Sequence, residues 1–188
     1  MNRKYCFLAL LCIGYLLASC ASTKSYSVPS CNIKRTTLGV LPFLSENQSF
    51  GNHVSDAVGS NLLDSGSRII ERSFLVHILN EHGYSELGLT ESINYKEIGK
   101  LVKADYLLVG SLDVGVYNPG AAVCAWMGGN PNTPFMSGAT AKIVDINTEQ
   151  VVVSVTVSAG KGSLASLQPA KMGKSLAAGI KREIAKTK

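Results

Sequence analysis

Hydrophobic and polar positions follow two periods along this chain, one typical of strands and one typical of helices. Leu38–Phe43 is a short apolar run, and Pro42 cannot donate a backbone hydrogen bond, so the run predicts a strand that ends there or lies at a sheet edge. Apolar residues recur every three or four positions through Gly51–Asp64, which predicts an amphipathic helix. The next predicted elements are a strand at Arg68–Glu71 and helices at Phe74–Glu81 and Asn94–Lys103.

Strands dominate the pattern after that point. Asp105–Val116 is largely apolar and predicts a long strand. Val151–Ala159 alternates valine with serine or threonine and follows Ala139–Ile146 closely, so the two predict an antiparallel hairpin with one buried face. Gln168–Lys186 predicts a final helix. The element order predicts an α/β fold: a single domain whose mixed sheet of about five strands is packed with three to four helices.

The N-terminus has the pattern of an export signal. Two cations precede the apolar run Tyr5–Leu17, which is shorter than the roughly 20 residues that a membrane-spanning helix needs. Leu-Ala-Ser-Cys at residues 17–20 resembles the lipobox of bacterial lipoproteins, in which the cysteine receives a diacylglyceryl group before cleavage. We therefore expect residues 1–19 to be removed and Cys20 to carry the lipid that holds the protein on a membrane.

The residues after Cys20 predict where the lipoprotein goes and how its domain is attached. Ala21 is not aspartate, and by resemblance to proteobacterial lipoproteins this suggests sorting to the outer membrane. Residues 20–36 are rich in serine, threonine and lysine, which predicts a flexible tether. The folded domain, facing the periplasm, is predicted at residues 37–188.

Cys31 and Cys124 are the two cysteines left after the signal is removed and Cys20 is lipidated. An exported location permits a disulfide between them, because such compartments are oxidising. Two free thiols are the alternative. Mass spectrometry of alkylated, unreduced protein distinguishes the two states, since only free thiols take up the label.

Positive charge is concentrated at the C-terminus. The formal net charge is +5, and loss of the two cations of the signal, Arg3 and Lys4, leaves +3 on the mature chain. Such a run suits anionic lipid, nucleic acid or an acidic partner, but a solvated helix face has the same pattern and is the interpretation we favour. We expect no nucleic-acid partner. The C-terminal cations are Lys171, Lys174, Lys181, Arg182, Lys186 and Lys188.

Patterns that indicate catalysis or cofactor binding are missing from the sequence. His53, His77 and His82 do not have the spacing of zinc ligands on a helix. Gly173-Lys174-Ser175 resembles the end of a phosphate-binding loop, but Gln168 replaces the required first glycine and no strand leads directly into it. No nucleophile elbow is present, and neither remaining cysteine has an adjacent histidine. We therefore expect no enzyme, no metal site and no cofactor.

Trp126 is the one residue that the sequence singles out as a candidate contact for a partner. It lies in the proline- and glycine-rich segment 117–135, which predicts an irregular loop. An exposed tryptophan on an exported loop suits binding to a protein or a membrane. Alternatively, the loop folds back and the indole covers an edge of the sheet.

Four blocks of sequence, in the same order, resemble the curli assembly/transport component family of CsgG-like lipoproteins. The resemblance covers Thr37–Gly160. It implies the family's α/β fold, and its best-known members are outer-membrane lipoproteins that form ring-shaped channels for amyloid subunits. The blocks are Leu38–Phe43 with its following helix, Arg68–Arg72 leading into the next helix, Lys103–Ser111 and Lys142–Glu149.

The sequence departs from that family at both places where the channel-forming members insert a β-hairpin into a membrane barrel. Each hairpin needs more than about 20 residues of alternating polarity. Segment 117–135 contains three prolines, and segment 160–167 is too short. We therefore expect the family's periplasmic scaffold without its barrel.

The resemblance to such barrel-less relatives implies a function through docking on envelope proteins, with self-association into a homo-oligomer as a further expectation. Our leading hypothesis is a non-enzymatic adaptor or accessory in the export or assembly of surface structures. One alternative is a curli-type secretion channel. Another is a regulator of a peptidoglycan synthase or a flagellar outer-membrane lipoprotein. An envelope enzyme ranks last.

Overall fold

A computed structural model describes residues 22–27, 33, 35–84, 95–116, 134–158 and 168–186. The strands are β1 (Ser22–Ser27), β2 (Thr37–Val40), β3 (Arg68–Ile70), β4 (Tyr106–Val116), β5 (Pro134–Asp145) and β6 (Val151–Ser158). The helices are α1 (Gln48–Leu62), α2 (Arg72–Glu81), α3 (Tyr95–Val102) and α4 (Pro169–Lys186). The six strands form one mixed sheet, so the predicted α/β class is confirmed with one strand more than expected.

The sheet has the order β1-β6-β5-β4-β2-β3. Strands β2, β3 and β4 are parallel, because helices carry the chain back between them, whereas β4, β5, β6 and β1 are antiparallel. The first residues of β2, β3 and β4 therefore share one end of the sheet, here called the lower end. The first residues of β1 and β5 and the last residues of β4 and β6 share the upper end.

Helices α1 and α4 cover one face of the sheet. Val54, Val58 and Leu62 are spaced four residues apart on α1 and are fully buried. The two helices approach closely at Gly173, where an added Cβ would lie 2.5 Å from the Cβ of Ala57. The apolar side of α4 completes this core with Met172, Leu176, Ala177, Ile180 and Ile184.

Helices α2 and α3 cover only the part of the opposite face that β2 and β4 form. Their buried side chains pack on Leu107 and Ile146. Further along the sheet this face is polar, and Thr140 and Thr156 hydrogen-bond across β5 and β6 at 3.1 Å. The second core consists of Leu41, Leu75, Leu79, Ile98, Val102, Leu107 and Ile146.

Element boundaries differ from the sequence predictions at several ends. β2 stops at Val40, before Pro42, as the proline predicts. Helix α1 begins earlier than predicted, because the Asn47 side chain accepts a hydrogen bond from Phe50 N at 3.3 Å and caps the helix. β5 begins at Pro134, so the last residues of the predicted irregular loop belong to the sheet.

Strand β1 differs from the predicted flexible tether at residues 22–27. Ser22–Ser27 pairs antiparallel with β6 and forms an edge of the sheet. The Oγ of Ser25 donates a hydrogen bond of 2.5 Å to Glu183 of α4, whose carboxylate is buried and also accepts from Lys186 at 2.7 Å. The sequence does not reveal this strand, because its residues lack an apolar alternation and its exposed side chains need no core.

We expect Ser25→Ala to loosen β1 without unfolding the domain. The change removes one donor to a buried carboxylate, a hydrogen bond that contributes about 1.5–3 kcal/mol when one partner is charged. Amide hydrogen exchange should accelerate in β1 and in the facing residues of β6, while the amides of α1 stay protected. Thr23→Ala is the matched control, since Thr23 is an exposed residue of the same strand. Equal exchange in both variants would contradict the role of the Ser25–Glu183 bond.

Candidate docking surface

A groove of about 220 Å³ lies beside the edge strand β3, between α1 and the start of α2. Strand β3 places Ile69 at the groove, Glu71 follows between β3 and α2, and α1 supplies Asp56 and the small residues that leave space for it. We call it the β3 groove. Its apolar lining includes Val40, Leu63 and Ile69, and its polar lining includes Asp56, Glu71 and Arg72.

A bidentate ion pair between Arg72 and Asp56 forms part of the groove lining. Arg72 Nε lies 2.8 Å from Asp56 Oδ1, and Arg72 Nη2 lies 3.1 Å from Asp56 Oδ2. The Arg72 side chain is 16% exposed and that of Asp56 is 49% exposed. Because two nitrogens bind the two oxygens in parallel, the pair fixes the first turn of α2 against α1 in one orientation. The groove therefore has a preformed polar wall.

One exposed apolar side chain lines the β3 groove, and a second belongs to the residue after a lining residue. Leu63 follows α1 and is 60% exposed, and Phe74, next to the groove-lining Ser73, is 59% exposed. Exposed aromatic and aliphatic side chains beside a pocket are typical anchors for protein partners. Phe74 is not among the candidate contacts predicted from the sequence, although the sequence contains a signal for it. Leu75 and Leu79 define the buried stripe of α2, and Phe74 lies outside it.

The opposite edge of the sheet carries an exposed aromatic residue and cations. Tyr26 of β1 is 62% exposed, and Lys24 is exposed on the same strand. Arg182 and Lys186 of α4 lie on either side of Glu183, which contacts β1. At the β3 groove, Glu71 is exposed and has no ion pair among the described residues. Both edges therefore expose cations, Lys24 on β1 and Arg68 on β3, and the β3 groove adds the carboxylate of Glu71.

A second ion pair joins the helices next to the groove. Lys181 of α4 donates to the Oδ1 of Asp64, which follows Leu63 in the chain. This hydrogen bond lowers the pKa of the Asp64 carboxyl below its ordinary value. The pair connects α4 to the residues that follow α1. On the other face of the sheet, burial and a hydrogen bond with Glu97 raise the pKa of Tyr84.

The residues that the sequence singles out do not converge on one place in the described part of the chain. Cys20, Cys31, Cys124 and Trp126 all lie outside the described residues. The lipidation and disulfide predictions, and both interpretations of the tryptophan, therefore stay predictions. Residues 117–133 and 160–167, which bear on the channel alternative, also lie outside.

His53 lies on α1, whereas His77 and His82 lie on and just after α2. His53 Nδ1 lies 3.4 Å from Ser49 Oγ, and His77 Nε2 lies 3.5 Å from Glu81 Oε1. His82 follows the end of α2. Within the residues that the structure describes, no group of three histidine, cysteine, aspartate or glutamate side chains is placed to hold a metal ion.

Gly173-Lys174-Ser175 lies inside α4 and not in a loop before a helix. Gly173 is buried against α1, which explains a glycine at this position by packing alone. Among the described helices, none has the length and apolar character needed to cross a bilayer.

Comparison with protein families gives a match that spans most of the chain. The family model described as curli production assembly/transport component CsgG matches residues 26–184. The chain belongs to this family. Its CsgG-family domain begins within β1, upstream of the four blocks that carry the resemblance in the sequence. No curated protein sequence matches the chain.

Solved structures support the same fold for the CsgG-family domain. It is similar to the PelC dodecamer from Paraburkholderia phytofirmans, with 15% identity, a TM-score of 0.51 and coverage of 86% of this chain and 98% of that chain. It is also similar to the lipoprotein GNA1162 from Neisseria meningitidis, with 12% identity, a TM-score of 0.52 and coverage of 80% and 98%.

Proposed function

We propose that this protein is a lipid-anchored adaptor on the periplasmic side of the bacterial outer membrane, which assists the export or assembly of surface structures by docking and not by catalysis. Cys20 supplies the anchor, and the β3 groove supplies the docking surface. The observation that carries the proposal is the pair of exposed side chains, Leu63 and Phe74, beside a groove with a fixed polar wall. The family match and the lipobox-like sequence support it.

The partner that we propose for the β3 groove is a second copy of the chain, bound through its β1 edge. Tyr26 would enter beside Leu63 and Phe74, and the cations of the β1 edge would face Glu71. A contact between two different surfaces is head-to-tail, and it closes into a ring when the rotation between copies permits. The similarity to a structure described as a dodecamer supports such an assembly. A ring on a lipid anchor would present many identical surfaces to an envelope partner.

We expect Leu63→Asp and Phe74→Asp each to dissociate the assembly. A charged side chain at a buried anchor position costs about 2–3 kcal/mol of association free energy, which is roughly a 30-fold to 150-fold weaker contact. Light scattering after size-exclusion chromatography of the mature protein, over a range of concentrations, measures this. Tyr26→Asp should have the same effect from the other side of the contact.

Leu44→Asp is the matched control for these variants. Leu44 is 45% exposed but lies away from the β3 groove, next to Ser111 of β4. It should leave the assembly intact. A wild-type protein that stays monomeric at all concentrations would contradict the self-assembly proposal. So would an assembly that Leu44→Asp disrupts and Phe74→Asp does not.

A further inference from the structure

A second groove, of about 500 Å³, lies at the lower end of the sheet, on the side of β2 and β3 where both strands begin. We call it the arginine groove, because Arg35 and Arg68 line it together with Thr37, Gly66 and Ser67. It contains no apolar side chain. Both arginines are exposed, and neither has an ion pair among the described residues.

Most other donors at this groove are already used within the protein. Arg35 N donates to Gly66 O at 3.0 Å, and Arg68 N donates to Thr36 O at 2.8 Å. Thr37 N donates to Asp105 Oδ2 at 2.7 Å, and Ser67 Oγ donates to Ile33 O at 2.9 Å. Asp105 is the nearby carboxylate, and it pairs with this backbone nitrogen and with neither guanidinium. The guanidinium groups are the charged donors that the groove offers to a ligand.

The backbone holds Arg35 in an unusual conformation. Its φ is +65°, a region that side chains other than glycine rarely adopt, and the facing Gly66 has φ +85°. The hydrogen bond between Arg35 N and Gly66 O and that from Thr36 Oγ1 to Ile33 O fix this turn. Because the turn is fixed, the Cα of Arg35 has a defined position relative to Arg68, across the strand pair Thr37–Arg68. The backbone positions of the two arginines are thus set before any ligand binds.

We infer that the arginine groove binds an anionic glycan through its carboxylate or phosphate groups. Planar guanidinium groups bind such oxyanions with two parallel hydrogen bonds. A docked protein segment would instead need aliphatic or aromatic anchors, which this groove lacks. A lining of polar and cationic residues suits a polar, charged sugar.

The arginine groove lies far from the membrane that would hold the protein. This conclusion rests on the proposed lipid on Cys20. Ser22 pairs with Ser158 at the upper end, at the level of Gly138 and Asp113. The groove lies at the level of Tyr106, seven residues back along β4, which corresponds to about 23 Å. The groove therefore faces away from the lipid headgroups of that membrane. Its ligand is a glycan that reaches the protein from the opposite side.

The test is a titration of the full mature chain, carrying Cys20→Ser to keep it soluble, followed by amide chemical shifts. The probes are trigalacturonate, a phosphorylated maltotriose and neutral maltotriose. We expect at least one anionic probe to shift the amides of residues 35–37 and 66–68, with weaker binding at higher salt. Arg35→Gln and Arg68→Gln should each weaken that binding at least fivefold, and Lys171→Gln, an exposed cation on α4, should not change it.

Arg35→Gly protects the test against misfolding, because glycine accepts the positive φ without strain. It should lose binding while its amide spectrum elsewhere stays unchanged. Shifts with neither anionic probe, or equal shifts with maltotriose, would overturn the inference. Co-sedimentation with phosphatidylglycerol vesicles and titration with polyglutamate are further arms, and stronger binding in either arm would assign the site to lipid or to acidic protein instead. The titration requires no lipid on the protein, so it can fail or succeed independently of the proposed anchor.

Discussion

Replacing Cys20 with serine is expected to release the protein from the membrane. Only acyl chains on this thiol and its amino group are proposed to hold the domain at the bilayer. Each buried methylene contributes about 0.8 kcal/mol, and one chain binds reversibly, whereas two or more give stable anchoring. Without them, nearly all of the protein should appear in the soluble periplasmic fraction. The variant needs a signal peptide that is cut by the ordinary signal peptidase, because the lipoprotein signal is removed only after lipidation.

Cys31→Ser is the matched control, since it also removes one thiol from the mature chain. It should stay in the membrane fraction. Intact-mass measurement of the wild-type protein should show an N-terminus at residue 20 with an added diacylglyceryl group and a further acyl chain. An unmodified thiol at that residue, or membrane retention of the Cys20→Ser protein, would contradict the anchor.

The anchor would also hold the domain close to the bilayer. β1 begins at Ser22, two residues after Cys20, and two extended residues span at most about 7 Å. A free tether of residues 20–36, as the sequence predicts, would instead allow a reach of more than about 50 Å at about 3.3 Å per residue. With that anchor, the pairing of β1 with β6 would therefore set how far the domain lies from the membrane. Loosening β1 by Ser25→Ala should therefore increase the distance that the domain can move away from the lipid on Cys20.

Gly173→Val is expected to destabilise the domain by about 2 kcal/mol, because overpacking a close contact costs about 1–3 kcal/mol. A Cβ at this position would lie 2.5 Å from the Cβ of Ala57 and 3.0 Å from Val54 O, and the two methyl groups of valine would extend the overlap. The better helix propensity of valine over glycine offsets only a few tenths of a kcal/mol. Urea unfolding should show a lower midpoint with an unchanged slope.

Lys174→Ala is the control, because it changes the next residue of the same Gly-Lys-Ser sequence on the exposed side of α4. Its effect on stability should stay within about 0.5 kcal/mol. The comparison also separates packing from nucleotide binding. If the sequence formed a phosphate-binding loop, ATP would stabilise the wild-type protein and Lys174→Ala would abolish that effect. We expect no such stabilisation in either protein.

The sequence identifies the elements whose own residues require a core. The apolar stripe of Val54, Val58 and Leu62 is removed from water only when the helix packs on a core. The alternating valines of β6 likewise need one buried face. The family resemblance follows from these elements and the loops between them, and the family match confirms it. The lipobox-like residues are equally local, because the lipidation machinery reads a short unfolded segment.

Strand β1 and the two grooves depend on distant parts of the chain. Ser25 meets Glu183 although 158 residues separate them, and Arg72 meets Asp56 across two helices. Nothing in the neighbourhood of Ser25 predicts a strand, because the hydrogen-bonding edge it needs belongs to β6. Likewise, Arg35 and Arg68 become neighbours only through the parallel pairing of β2 with β3.

By itself, therefore, the sequence determined the α/β class, most of the helices and strands, the family and the expected lipid anchor, since each depends on periodicity or on a short motif. Only the tertiary structure decided which polar and exposed residues lie near one another: the lining of the β3 groove, the cations of the arginine groove and the residues that attach β1. The physical reason is that burial of apolar side chains leaves a periodic pattern in the sequence. A surface assembled from separate strands leaves none.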